Sequence, residues 1–321
     1  MSKREGSPWT GVGVIALKEA ADHLSGARMR VLAWLIALTA AAALYGALRD
    51  IRANTSEDPF VFLKLFTLAQ DPMPSFAAML GFLVPLLAIG LGFDAINGEY
   101  SRRTLSRILS QPVYRDALLL GKFVAALGTL ALFLLCLWLI VMGSGLLMLG
   151  VAPGLEELAR SLLFLGVALA YAAVWLALAM LLSTLLRAPA TSALVALGLW
   201  LFLTLLWPLL AGALANAIAP PDLMAQVLGR PSLQTLQWTQ ALQRLSPNQL
   251  FNEAMVVLLS PGTRTLGPVF LDQLQGALMG APLALGQSLR IIWAQGVGLL
   301  AAAILLFTAA YVSFQRQEVR A

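Results

Sequence analysis

One histidine, His23, and one cysteine, Cys136, are all that this chain of 321 residues holds of two side chains on which most metal centres and many nucleophilic sites depend. Four-ligand zinc sets, histidine pairs and cysteine–histidine nucleophiles are thereby excluded. A lone cysteine closes no intrachain disulfide, so cysteine usage leaves the redox compartment open, and Cys136 reads as a small packing residue. His23, without a second ligand nearby, reads as a solvated surface histidine. A nucleotide-binding loop is missing too: Gly121-Lys122 lacks the glycine five residues upstream and is followed by Phe123. The chain is therefore expected not to be an enzyme and to hydrolyse no ATP by itself. Glu156 and Glu157, adjacent on a short acidic loop, read as solvation rather than as an acid–base pair. Charge is scarce, at 12% of residues, and the apolar runs contain almost none of it. Ion-coupled transporters usually carry carboxylates or histidines at such depths, so any transport here needs an outside source of energy.

What is abundant is apolar. Hydrophobic residues make up 60% of the chain and mean hydropathy is +0.82, which places it among all-α polytopic membrane proteins. The formal net charge of +5 and pI near 9.7 do not point to nucleic acid, because the arginines gather at the ends of apolar runs and act there as topology signals. Six runs are long enough to span a bilayer, about Val31–Leu48, Phe76–Phe93, Phe123–Leu149, Leu162–Leu185, Ser192–Leu214 and Ile291–Phe314.

The N-terminal part, residues 1–30, shows no signal-peptide pattern, so the first span is expected to act as the insertion signal. Val14, Leu17, Ala21 and Leu24 recur there at helical spacing opposite Lys18, Glu19 and Asp22, as in an interfacial helix lying along the membrane. Residues 31–214 carry spans one to five. Arg187, Ala188 and Pro189 leave room only for a tight turn between the fourth and fifth. Residues 215–289 leave the simple pattern, with prolines throughout and a short apolar segment, NQLFNEAMVVLLS, between Pro247 and Pro261. That segment is too short to span and suits an interfacial or re-entrant helix; the whole stretch is expected to be a helical outer segment. Residues 290–321 hold the sixth span and a polar tail.

The most informative stretch is a charged island from Asp94 to Lys122, set between two apolar runs. Burying Asp94, Glu99, Arg102, Arg103, Arg107, Arg115, Asp116 and Lys122 in lipid would cost on the order of 20 kcal/mol. The island therefore lies in water or on a partner. Thr104, Leu105, Ile108 and Leu109 fall on one side of a helix, with Glu99, Arg102, Arg103, Ser106 and Arg107 on the other, and Pro112 ends it. Two readings of the pattern remain open at this point: a solvated loop, and an apolar stripe that docks in a groove of a second protein. Six spans place both termini and the island on one side. Thirteen of the 21 Lys and Arg residues fall on that side, leaving eight opposite, so the expected side is the cytoplasm.

The island also resembles the signature of the ABC-2 type permeases, the membrane halves of a class of ATP-driven transporters. The residues that carry the likeness are Asp94, Glu99, Thr104-Leu105, Leu109-Ser110, Pro112-Val113, Arg115 and Gly121-Lys122. Arg103 departs from it, standing where the family usually has glycine. In layout the likeness covers the whole chain, and within the class it is nearest the branch with the nitrous-oxide-reductase maturation permease and the gliding-motility permeases. The resemblance implies a permease subunit of an exporter in a bacterial inner membrane, paired with a second copy or paralogue. ATP and Mg would reside in a separate cytosolic ATPase, so no cofactor is expected in this chain. The island would be the coupling helix: Leu105, Ile108 and Leu109 would pack on the ATPase, Glu99, Arg102, Arg103, Thr104 and Arg115 would contribute contacts, and Pro112 would fix the exit angle. Arg187 would make a second cytoplasmic contact. The rival expectation is a membrane anchor or assembly factor that scaffolds a periplasmic protein without transport; in either case a periplasmic partner is compatible with the outer segment.

Overall fold

A computed structural model describes residues 11–53, 60–69, 74–103, 115–220, 232–263 and 282–316. Among them all regular structure is helical. In chain order the helices are α1 (Val12–Ser25), α2 (Ala27–Ala53), α3 (Val61–Thr67), α4 (Phe76–Gly92), α5 (Asn97–Ser101), α6 (Arg115–Leu149), α7 (Leu155–Leu185), α8 (Pro189–Leu201), α9 (Trp207–Ile218), α10 (Leu233–Gln243), α11 (Pro247–Leu259) and α12 (Leu285–Arg316). A π-helical turn, Phe202–Leu206, joins α8 to α9 without breaking the rod.

Six segments are long and apolar enough to cross a membrane: Met29–Ile51, Phe76–Ser101, Arg115–Leu149, Leu155–Leu185, Pro189–Ile218 and Leu285–Arg316. These are the six spans expected from hydropathy, and the protein is an all-α, multi-pass membrane protein. Two boundaries move. The third span's helix starts at Arg115, well before Phe123, and the fourth starts at Leu155 rather than Leu162. Hydropathy set those boundaries where the charges begin, whereas the helices continue through Lys122, Glu157 and Arg160, each of which has a partner. Glu156 and Glu157 consequently stand in the first turn of α7 and not in a loop. Glu157 is buried; its carboxylate accepts from the Gly154 N–H at 2.7 Å and from the Phe62 N–H at 2.9 Å. Acidic groups at a helix start also meet the positive end of its dipole.

α7 is the centre of the bundle, packed against α12, α4, α11 and α6. Its middle carries Tyr171 and Trp175, both fully buried, and Tyr171 stacks on Phe251 of α11 with ring centroids 4.6 Å apart. Lipid offers helices little hydrophobic reason to associate, so close approach must do it. At Gly92 a Cβ would come within 2.9 Å of the Ala179 Cβ, so this glycine sets the contact between α4 and α7.

The end of the bundle remote from Lys122 is tied by Arg160, whose side chain is entirely buried. It pairs with Glu156 at 2.8 Å, donates to the Leu258 carbonyl at 3.3 Å and the Ser288 hydroxyl at 3.1 Å, and also donates to the Leu283 carbonyl. One guanidinium thus joins α7, the last turn of α11 and the start of α12, where the orphan carbonyls of a helix end need donors.

The segment between spans five and six contains a helical hairpin that turns back into the bundle. α10 runs antiparallel to α9: the Thr235 hydroxyl donates to the Ala219 carbonyl at 2.7 Å, and the Trp207 indole to the Leu242 carbonyl at 2.9 Å. α11 then leaves between α7 and α12, with Phe251, Ala254, Val257 and Leu258 buried. The helix expected between Pro247 and Pro261 therefore packs inside the bundle, against α7, α12 and α4.

Candidate functional site

Backbone geometry singles out the turn after the second span. α4 ends at Gly92, the chain makes a short link, and α5 follows with Asn97 almost wholly buried at its start. Ser183, near the end of α7, caps that start. Its hydroxyl oxygen accepts from the Ile96 and Asn97 N–H groups at 3.0 and 3.2 Å and its own proton goes to the Asn97 side-chain oxygen at 3.1 Å. The Asn97 amide donates in turn to the Leu186 carbonyl at 3.1 Å. This knot fastens α5 to the end of span four, one residue before Arg187, which lies exposed in the tight turn Leu186–Ala188.

Lys122 is the second fastening. It lies one full turn or more inside α6 with a side-chain exposure of 6%, and its ammonium sits 2.9 Å from Glu19 of α1 and 3.2 Å from Glu99 of α5. A cation so enclosed persists only when paired, and here two carboxylates from two other elements do so. The preceding residue explains how α1 comes near enough. A Cβ at Gly121 would lie 2.8 Å from the Ile15 side chain and 3.3 Å from the Val12 carbonyl, so only glycine lets α1 rest on α6. The Gly121-Lys122 pair is thus a packing contact followed by an ion pair.

Beside the clamp is a polar cavity of about 410 Å³, lined in part by Glu19, His23, Asp94, Glu99, Arg102 and Lys122. Burial holds the His23 pKa below its ordinary 6.5; Lys122 pushes in the same direction, while Glu19, Asp94 and Asp22 oppose. His23 is half-buried here and not the solvated histidine expected. Among the described residues no group of three or more His, Cys, Asp or Glu is arranged to hold a metal ion.

α5 ends at Ser101 with Arg102 as its cap, and Arg103 follows with φ of 55°, the left-handed conformation. The Arg103 N–H returns to the Tyr100 carbonyl at 3.0 Å, a helix stop of the kind that favours glycine at this residue. Glu99, Arg102 and Arg103 therefore do not form the polar side of one uninterrupted helix; the backbone breaks at Arg103. Glu99 faces inward to Lys122, while Arg102 and Arg103 are exposed at the turn. Arg115 begins α6, and the next residue, Asp116, accepts a hydrogen bond from Gln315 near the end of α12. Thr104, Leu105, Ile108, Leu109 and Pro112 lie outside the described residues.

The structure thus brings Glu99, Arg102, Arg103, Arg115 and Arg187 to one end of the bundle and adds Glu19, Asn97, Lys122 and Ser183, none of them among the coupling residues expected from sequence. Lys122 was the one with a local signal: a cation at the mouth of a long apolar run requires a counter-charge.

Residues 14–319 match a family model described as the ABC-2 family transporter protein. The chain is 36% identical over 205 residues to a probable ABC transporter permease protein NosY of Pseudomonas aeruginosa, covering 62% of this chain and 68% of that protein. It is 34% identical over 155 residues to a protein of the same description from Stutzerimonas stutzeri, covering 46% of this chain and 54% of the relative.

Proposed function

The chain belongs to the ABC-2 family of ABC transporter permeases, and we propose that it is the membrane subunit of an exporter driven by a separate cytosolic ATPase docked at the Arg102–Arg103 turn. Both termini and that turn face the cytoplasm of a bacterium, and the spans lie in its inner membrane. ATP and Mg are held by the ATPase. A second permease copy or a paralogue completes the path, and the fifth span, the least enclosed of the six, offers Leu194, Leu205 and Leu209 on its outer side for that contact. A periplasmic protein is a further candidate partner at the opposite end.

The observation that carries this reading is the double fastening of α5. A push on the exposed turn moves a short helix that is bonded to span four through Ser183 and to span three and α1 through Lys122. Force applied at one surface is thereby delivered to spans two, three and four together, through contacts that pack rather than bend. A solvated loop obeying topology rules alone would need neither fastening. Arg187, one residue beyond the Asn97–Leu186 bond, serves as the second contact with the ATPase.

The test is purification of the tagged chain from its native membranes. An ATP-binding-cassette ATPase in stoichiometric amount, with ATP hydrolysis by the complex, is the expected result. A periplasmic protein recovered with no ATPase would overturn the proposal in favour of the scaffold reading.

A further inference from the structure

The tip of the helical hairpin, Arg244-Leu245-Ser246, carries a cation at an unusual depth. The Ser246 hydroxyl donates to the Leu203 carbonyl at 3.3 Å, the Asn248 amide donates to Thr204, and Trp207 bonds to Leu242. The tip therefore lies level with Leu203–Trp207 of the fifth span. At about 1.5 Å per residue, Thr204 is roughly 22 Å along the rod from Pro189. A hydrocarbon core about 30 Å thick that begins near Pro189 encloses that level.

Arg244 is held there by one edge only. Its Nε lies 3.0 Å from both oxygens of Glu253, a carboxylate that is 6% exposed and also accepts from Gln249 at 3.2 Å and Gln295 at 2.7 Å. Among the described residues the two terminal nitrogens of Arg244 make no hydrogen bond, and its side chain is 40% exposed. With none of its four terminal N–H groups bonded among the described residues, the guanidinium cannot face acyl chains at that depth without heavy cost, and irregular backbone within a membrane survives only in protein or beside a water-filled cavity. Leu245, which follows it in the chain, Trp238 earlier on α10 and Leu206 of the fifth span are all exposed.

From this geometry we propose that Arg244, aimed by Glu253, is a binding site on the substrate path for the acidic headgroup of an amphiphile, a phosphate monoester or carboxylate with an apolar tail. The guanidinium fork receives the oxyanion, the geometry arginine suits best, and the leucine and tryptophan surface beside it receives the tail. The proposal rests on the permease reading for its placement on a path. It does not need the ATPase for its test.

Dodecyl phosphate binding to the purified chain in maltoside micelles, followed by native mass spectrometry, is the experiment. Arg244→Gln alone leaves Glu253 buried and unpaired and risks misfolding, so the informative variant is Arg244→Gln with Glu253→Gln, which removes both charges, keeps the amide contact from Gln249 and lets Gln295 turn its side-chain oxygen to accept from the new NH2. Saturable binding by the wild type, weakened roughly tenfold or more in the double variant, with inorganic phosphate binding at least as much more weakly than the amphiphile, is the expected result. Absent binding, undiminished binding by the double variant, or equal binding of inorganic phosphate would each overturn it. A second measurement asks whether the site is wet. In a Cys136→Ser, Glu253→Gln background, Arg244→Cys should react with a membrane-impermeant thiol reagent, and failure to react would place the residue in lipid or packed protein and refute the site. Neither outcome bears on whether an ATPase co-purifies, so the two proposals fail separately.

Discussion

Replacing Lys122 by methionine should loosen three elements at once. The ammonium is 2.9 Å from Glu19 and 3.2 Å from Glu99, and the three side chains are 6%, 13% and 16% exposed. Removing one member of a fully buried pair costs about 3–5 kcal/mol, most of it from the charge left behind. Here the two carboxylates border a cavity of about 410 Å³, into which water can enter, so the expected loss is smaller, about 2–3 kcal/mol. The appropriate assay is unfolding in mixed micelles, arranged as double-mutant cycles with Glu19→Gln and Glu99→Gln. Each cycle should return a coupling of about 1–2 kcal/mol. Neutralising all three residues together should recover much of the loss, because no uncompensated charge then remains. A Lys122→Met protein within about 0.5 kcal/mol of its parent, or couplings below about 0.3 kcal/mol, would refute the idea that this ion cluster binds α1, α5 and α6 into one body.

Arg103→Gly relieves a left-handed non-glycine residue and should stabilise the isolated chain by about 0.5–1 kcal/mol, read as a raised unfolding midpoint, while weakening association with the ATPase through the lost guanidinium. A lowered midpoint would contradict the left-handed assignment. Arg160→Met strips donors from Leu258, Leu283 and Ser288 and should cost about 3–5 kcal/mol, with Arg160→Lys failing to restore it because an ammonium lacks the fork; rescue by lysine would show that charge alone matters there. The fold holds the His23 pKa below 6.5 and so favours the neutral ring. Its contribution to stability is complete above that pH and is lost as pH falls through the lowered value. His23→Gln should flatten the stability curve below pH 6.5, and an unchanged slope would contradict this.

Apolar run length made the six spans legible, because a bilayer imposes that length and little else in a sequence imitates it. Span ends were harder to read, for a physical reason visible at Lys122. Its two counter-charges lie in α1 and α5, so no local window shows that a lysine can enter the helix. Glu157 is the milder case: Gly154 before it and a long apolar run after it are a helix-start pattern, and the reading of a surface loop gave too little weight to acids at N-termini. The helix between Pro247 and Pro261 was legible as an apolar segment too short to span. Its place in the bundle was not, since that is set by the bonds that Ser246 and Asn248 make to Leu203 and Thr204 of the fifth span and to Tyr171 of α7. Arg103 was marked by its departure from a family pattern with glycine, and the left-handed backbone found there is what that glycine would serve.

Transmission of force through the charged turn is the centre of the account, and charge reversal at Arg102 and Arg103 addresses it most directly. Both side chains are exposed and neither belongs to the Lys122 cluster, so Arg102→Glu with Arg103→Glu should leave membrane insertion and the unfolding midpoint unchanged. The predicted result is loss of the ATPase from the purified complex, and of transport with it. Undiminished ATPase recovery and transport in that double variant would contradict the account.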